Sequence, residues 1–316
     1  MKIVILDRAS LGEDTPIEKL RELGELTVYD SSCADEVCSR VKDADVVILN
    51  KVKITREVLY SADSLKLVCV FATGFDNIDI SAAKERGIAV CNVPGYSSDS
   101  VALFTAAKVT ALCSHLFEYK RFVTSGEYTD AGVPNRLTPV YHELAGKTWG
   151  IVGYGGIGKA VAKIARGFGA KVLVNKRTPV PDVECVDIDS LCKNSDIITL
   201  HCPLNDSTRG LICKEKIALM KKDVIIVNEA RGAVVVESDI RDALINGDIG
   251  GYGCDVYSTE PFSKEHPYND IMELDNVILT PHAAWGAYEA RERCLDIIID
   301  NIKSFFDGKF LNRVDK

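Results

Sequence analysis

A chain of 316 residues with 47% apolar residues has material for more than one hydrophobic core and little room for disorder, so two domains are expected. Its formal net charge of −8 excludes a general affinity for nucleic acid, and any anionic ligand must be held by a local site. No apolar run reaches the roughly eighteen residues of a membrane span, and the start MKIVILDRAS lacks the basic and apolar regions of a signal peptide.

The eleven cysteines are scattered, with no CxxC pair among them. That dispersion suits buried thiols in a reduced cytosol better than disulfides or a metal centre, so a cytoplasmic protein without metal is expected.

Along the first hundred residues, short apolar runs alternate with stretches of helical spacing: KIVIL, DTPIEKLRELG, ELTVYD, CADEVCSRVKDA and DVVIL, then KLVCVFATG, DISAAKERG and IAVCNVPG. Strands alternating with helices predict a doubly wound parallel sheet. Gly74 and Gly95 close their strands where the backbone must turn. From Ser98 to Gly126 the alanine-rich segment SVALFTAAKVTALCSHLFEYKRFVTSG predicts one long buried helix, and a polar loop with two prolines follows to His142. A second series then begins: KTWGIVGYG, a helix through Phe168, AKVLVN, the turn RTPVPD, SDIITLHCP, helix KEKIALM, DVIIVNEARG, helix ESDIRDALING and GGYGCDVYS. The last segment, AYEARERCLDIIIDNIKSFFDG, has helical periodicity and fits a tail that returns to the first domain. The expected division is therefore 1–98 with 284–316, and 99–283. Both domains are read as α/β, each a doubly wound parallel sheet.

Within the second series, GIVGYGGIGKAVAKIARGFGAKVLV carries G-x-G-x-x-G at Gly153, Gly155 and Gly158, after a strand and at the start of a helix. That context predicts dinucleotide binding. The first glycine permits a tight turn, the second admits a pyrophosphate to the backbone, and the third lets helix and strand pack closely. An NAD-binding chain usually has an acid about twenty residues on, for the ribose hydroxyls. Here no acid occurs between Gly158 and Asp182, and Lys176, Arg177 and Thr178 occupy the slot. Two cations and a hydroxyl suit a 2′-phosphate, so NADP(H) is favoured; NAD(H) and a plain solvated loop stay open. Three later segments place polar residues after apolar strands: Arg231 in VIIVNEARG, Asp255 and Glu260 in GCDVYSTEP, and His282 in VILTPHAAWG. Strand C-termini of a doubly wound sheet face its ligand, so these side chains are expected to converge.

The chain resembles the D-isomer-specific 2-hydroxyacid dehydrogenase family. The likeness is carried by ATGFDNIDISAAKERGIAVCNVPGYSSDSVA, ELAGKTWGIVGYGGIGKAVA, HCPLNDSTRGLI, VNEARG, DVYSTEP and TPHAAWG, in that order. CNVPGYSSDSVA and PHAAW are most similar to its glycerate dehydrogenase, or hydroxypyruvate reductase, branch. The resemblance implies a Rossmann dinucleotide-binding domain, a flavodoxin-like substrate-binding domain and a homodimer. It implies hydride transfer between NAD(P)H and a small 2-oxo or 2-hydroxy acid, with hydroxypyruvate or glyoxylate favoured. An NAD-dependent D-lactate or branched 2-hydroxyacid dehydrogenase and a dinucleotide-sensing corepressor are the alternatives.

By matching motif, the implied catalytic set is Arg231, Glu260 and His282. His282 would be the general acid, Glu260 would fix its tautomer, and Arg231 would grip the carboxylate and polarise the 2-oxo group. Around the cofactor the resemblance implies Gly156 and Ile157 at the pyrophosphate turn and His201, Cys202 and Pro203 beside the adenosine. Thr208, Glu229, Ala230 and Asp255 would lie toward its other parts, and Thr105 is a further candidate. For the substrate it implies Lys51, Phe71 and the backbone of Ala72, Thr73 and Gly74 on the first domain's wall of the cleft, with Trp285 beside the catalytic His. Lys51 reads equally as a strand-end charge, and Thr105 as a buried helix Thr. The chain departs from the family at Leu103 and Phe104, which replace polar residues, and at Glu229, which replaces a small one.

Overall fold

Five short runs, Lys2–Ile5 (β1), Glu25–Val28 (β2), Val46–Leu49 (β3), Leu67–Val70 (β4) and Ala89–Cys91 (β5), pair as a parallel sheet of order β2-β1-β3-β4-β5. The structure is a computed structural model that describes residues 1–316. All residues of VVIL in β3 and LVCV in β4 are buried, as parallel strands covered on both faces require. Helices α1 (Ala34–Val41), α2 (Arg56–Ser61) and α3 (Ile80–Glu85) connect the later strands. Thr55 caps α2 by accepting from Val58 N, and Asp79 caps α3 by accepting from Ala82 N at 2.8 Å. The expected helix in DTPIEKLRELG is instead a short 3-10 run, Ile17–Glu22, entered through Pro16. This strand order is that of flavodoxin-like sheets.

The second sheet has seven parallel strands: β6 (Thr148–Val152), β7 (Lys171–Asn175), β8 (Glu184–Cys185), β9 (Ile197–Leu200), β10 (Ile225–Asn228), β11 (Gly251–Cys254) and β12 (Val277–Leu279). Their order, β12-β11-β10-β9-β6-β7-β8, is the doubly wound Rossmann order with one more strand at the β12 edge. Alternate residues feed opposite faces. Ile197, Ile225 and Val227 join one core with Trp149, Val109 and Val161, while Ile198, Ile226 and Tyr252 join the other with Leu191 and Ile240. The first core lies under α4 (Ser98–Cys113) and α7 (Gly156–Gly167) and the second under α8 (Ile188–Asn194) and α10 (Glu237–Asn246). KEKIALM supplies only the single turn α9, Lys214–Ile217.

The long helix expected from Ser98 to Gly126 is broken. α4 stops at Cys113, α5 runs from Leu116 to Thr124 at 63° to it, and a single turn α6 covers Glu127–Asp130. His115 takes the left-handed conformation, φ 50°, between α4 and α5, and Ser114 Oγ bonds back to Thr110 O at 2.7 Å. Such back-bonding competes with the helix ladder, and one left-handed residue ends it. No single helix is long and apolar enough to cross a membrane.

Residues 1–97 and 286–316 form one unit and residues 98–285 the other. The chain re-enters the first unit as α11 (Tyr288–Phe306), which packs on β4 and buries Cys294, Leu295, Ile298 and Ile302. Arg291 then pairs with Asp14, and Asp315 accepts from Val90 N at 2.9 Å.

Candidate active site

The turn after β6 is built on its glycines, for two different reasons. Gly153 has φ 92°, and a Cβ there would stand 2.7 Å from Cys202 N; a Cβ on Gly158 would stand 2.1 Å from Gly153 O. Both residues are glycine because protein backbone leaves no space. Gly155 differs, since a Cβ on it would meet nothing within 4 Å. The protein supplies no steric reason for that glycine, but a pyrophosphate lying on the backbone does. Gly155 is also the N-cap of the twelve-residue α7, whose first N–H groups at Gly156, Ile157 and Gly158 present a positive end to an anion. The residues present therefore fit a dinucleotide.

Lys176 follows β7 directly. Asn175, the last residue of β7, is paired with Val152, and Gly153 N donates to Asn175 O at 2.9 Å. The register thus places the cationic segment beside the glycine turn. Lys176 is half-buried and Arg177 and Thr178 are exposed.

Three adjacent strands, β10, β11 and β12, carry Arg231, Glu260 and His282 beyond their C-terminal ends. His282 Nδ1 lies 2.6 Å from Glu260 Oε2, while Glu260 Oε1 accepts from Tyr257 N at 3.0 Å. An ionised carboxylate only accepts, so it draws the proton of the neutral imidazole to Nδ1 and leaves Nε2 as the acceptor nitrogen of the ring. His282 has φ 52°, in the left-handed region where few non-glycine residues sit. Its turn is held by Asp255, whose Oδ1 accepts from Thr280 Oγ1 at 2.5 Å and Ala283 N at 3.0 Å, and whose Oδ2 accepts from Ala284 N at 2.8 Å. Ser100 Oγ adds a bond to Ala284 O at 2.6 Å.

Arg231 is braced from below. Buried Asn228 accepts from Ala230 N and donates to Arg231 O, both at 3.0 Å, and Arg231 Nη1 donates to Ala230 O at 2.8 Å. A Cβ on Gly232 would stand 2.0 Å from Tyr257 C. The Arg231 loop therefore lies directly on the segment that leads to Glu260, and only glycine permits it. Glu237 ties that segment down, accepting from Ser258 N at 2.8 Å and Ser258 Oγ at 2.5 Å and contacting His266 Nε2 at 3.0 Å.

The remaining candidates fall in different places. Both ring nitrogens of His201 are buried without a partner, and burial pulls its pKa down to about 3, so it is a neutral imidazole. Burial pushes the neighbouring Cys202 thiol up to about 11, while Pro203 is exposed. Thr208 Oγ1 donates to Pro203 O at 2.7 Å and accepts from Asn205 N at 2.8 Å, closing its own loop. Thr105 is fully buried and its hydroxyl is spent on Val101 O at 2.8 Å, so its role in α4 is structural and it presents no donor to a cofactor. Ala230 is buried and Trp285 half-buried.

In the first unit, Phe71 is fully buried and Lys51 exposed. The turn at Ala72 is fastened by Val93 N to Ala72 O (2.9 Å), Thr73 Oγ1 to Val93 O (2.8 Å) and Asn92 Nδ2 to Thr73 O (2.7 Å). The carbonyl groups of Ala72 and Thr73 are thereby occupied, while no backbone acceptor takes the N–H of Ala72, Thr73 or Gly74. Such a turn presents donors to an anion.

Asn228, Glu237, Ser100 and Lys108 carried no signal in the motif reading. Each acts through a partner distant in sequence or through backbone, although Asn228, ahead of the Arg231 turn, and Ser100, in CNVPGYSSDSVA, lie inside recognisable motifs.

Residues 106–284 match the family model described as the NAD-binding domain of D-isomer-specific 2-hydroxyacid dehydrogenases. Over the whole of both chains the protein is 40% identical to a hydroxypyruvate reductase of Blautia hydrogenotrophica. It is 35% identical, over 99% of each chain, to a glycerate dehydrogenase of Methylorubrum extorquens. Among solved structures it is similar to an acyclic imino acid reductase in complex with NADPH and D-Arg, with a TM-score of 0.87, 32% identity and coverage of 99% of this chain and all of the other.

Proposed function

The chain belongs to the D-isomer-specific 2-hydroxyacid dehydrogenase family, nicotinamide-dinucleotide enzymes that act on small 2-hydroxy and 2-oxo acids, and on that premise we propose that it reduces hydroxypyruvate and glyoxylate with NADPH. The observation that carries the reaction is the 2.6 Å contact between His282 Nδ1 and Glu260 Oε2 at the edge shared with Arg231. The choice of substrate is supported by the hydroxypyruvate reductase and glycerate dehydrogenase likenesses over the full chain.

The bound dinucleotide supplies the hydride. The protein's own residues do the rest. His282 gives the proton from Nε2 to the oxygen that becomes the alcohol, and takes it back in oxidation. Glu260 holds the ring and stabilises its charged form from the Nδ1 side. Arg231 offers a planar fork to the carboxylate and the 2-oxo oxygen and offsets charge that develops there. Within the first unit the N–H groups of Ala72, Thr73 and Gly74, with Lys51 and Phe71, are the proposed substrate contacts, and within the second Trp285 is a further one. On the dinucleotide side, the α7 N-terminus takes the pyrophosphate. Lys176, Arg177 and Thr178 take a 2′-phosphate. His201, Cys202 and Pro203 are the proposed adenosine contacts, with Thr208 bracing their loop, and Glu229, Ala230 and Asp255 are assigned to the nicotinamide side through their backbone, the Glu229 and Asp255 side chains being turned inward.

We further propose a cytoplasmic homodimer. Eleven unpaired cysteines suit a reducing compartment. Leu116, Val123, Val133, Leu137, Val140 and Tyr141 expose 54% or more of their surface within one 26-residue stretch of the second unit, a concentration that fits a self-association surface. The deciding experiment measures initial rates with NADPH and NADH against hydroxypyruvate, glyoxylate, pyruvate and 2-oxoisocaproate. Hydroxypyruvate or glyoxylate with NADPH should give the highest kcat/KM. Higher values for pyruvate or 2-oxoisocaproate with NADH would replace this reading by a D-lactate or branched-acid dehydrogenase.

A further inference from the structure

A buried charge cluster lies within the second unit beneath the His282 turn. Lys108, on α4, and Glu229, just past β10, have side chains only 3% and 1% exposed, with Lys108 Nζ 2.6 Å from Glu229 Oε1. The same ammonium is 4.0 Å from Asp255 Oδ1. Its stem runs over Gly253 of β11, where a Cβ would stand 3.1 Å from Lys108 Cδ, and its head lies 5.3 Å from the Phe104 ring centroid. Two carboxylates thus share one cation, and Glu229 Oε2 is buried without a partner. Burial pushes the Glu229 carboxyl up to about 7, with Lys108 opposing and Asp255 adding to the rise.

Both oxygens of Asp255 are engaged around His282: Oδ1, the one nearer Lys108, accepts from the Thr280 hydroxyl before it and from Ala283 N after it, and Oδ2 accepts from Ala284 N. A buried ammonium at contact distance is a strong competitor for a carboxylate oxygen. Without a nearer anion, Lys108 would close on Oδ1 and draw it from the two donors that keep His282 in its left-handed conformation. We propose that Glu229 is a positioning residue: it holds the Lys108 ammonium away from Asp255, so that Asp255 stays committed to the Thr280–Ala284 turn and His282 stays aimed. The inference rests on the reading of His282 as the proton donor.

Glu229→Gln keeps the shape and removes the charge, and should lower kcat at least about tenfold with KM for the oxo acid and cofactor affinity within about threefold. Glu229→Asp, with its carboxylate drawn back by one methylene, should fall between. The double variant Lys108→Met/Glu229→Met removes competitor and decoy together. An apolar pair can replace a buried ion pair with little loss, so it should recover kcat to within about threefold of wild type. Thermal unfolding of each variant separates a merely structural pair, which would lower Tm and leave kcat of the folded enzyme unchanged. Wild-type kcat in folded Glu229→Gln overturns the proposal, as does a double variant that folds but is no faster than the single one. If Glu229→Gln does not fold, the Glu229→Asp and double-variant rates decide alone. Should His282→Ala turn over like wild type, the proton-donor reading falls instead; if His282→Ala is inactive while Glu229→Gln is fully active, only the positioning claim fails.

Discussion

His282 and Glu260 meet at 2.6 Å through Nδ1 and Oε2, and Glu260 is itself anchored by the N–H of Tyr257. The carboxylate is therefore fixed at both oxygens, and the ring orientation follows from it. Glu260→Gln keeps a hydrogen-bonding group of the same shape but presents an amide that can turn its donor toward Nδ1. The expected outcome is a fall in kcat of at least about tenfold with cofactor affinity unchanged, measured by steady-state rates and by fluorescence titration of the dinucleotide. Unchanged kcat would reduce Glu260 to a turn residue.

Gly155 and Gly158 belong to one motif yet should respond differently. Gly158→Ala forces a Cβ to 2.1 Å from Gly153 O and should cost about 1–3 kcal/mol of stability. Gly155→Ala meets nothing within 4 Å and should leave stability within about 0.5 kcal/mol while weakening dinucleotide binding at least about tenfold. Urea unfolding paired with cofactor titration distinguishes them, and tight binding by Gly155→Ala would remove the pyrophosphate from that turn.

Lys176 and Arg177 carry the proposed preference for the phosphorylated cofactor. In Lys176→Asp/Arg177→Ala two charge-assisted contacts are lost, and the ratio of kcat/KM for NADPH over NADH should fall at least about a hundredfold. An unchanged ratio would return both residues to a solvated loop.

His201 gives the protein an acid-sensitive element. Its folded-state pKa of about 3 lies below the ordinary histidine value of 6.5, so the unfolded chain binds the extra proton first. Stability from this group is full above about pH 6.5 and is lost as pH falls toward 3, by about 2 kcal/mol between pH 7 and 5. His201→Leu should flatten that part of the profile relative to wild type in urea unfolding at the two pH values; identical pH dependence would mean that the ring is solvated.

Much of the architecture was legible because parallel strands buried on both faces must be continuous apolar runs, as in VVIL and LVCV. The glycine turn was legible because backbone contact permits no other residue at Gly153 and Gly158. The break at His115 was not, since no Gly or Pro marks it and residues compatible with a helix continue on both sides. Lys108 was equally hidden. Its partner Glu229 lies 121 residues away, and in an alanine-rich helix a single Lys reads as a surface charge. Thr105 read equally as a cofactor contact and as a buried helix Thr, because a sequence does not show that its hydroxyl bonds within its own helix.

The central claim, that His282 moves the proton in hydride exchange at a 2-oxo acid, is tested most directly by His282→Ala. The account predicts that kcat for hydroxypyruvate reduction falls by about a hundred- to ten-thousandfold while NADPH affinity stays within about threefold of wild type. Turnover like that of the wild type, in a variant that binds NADPH normally, would contradict it.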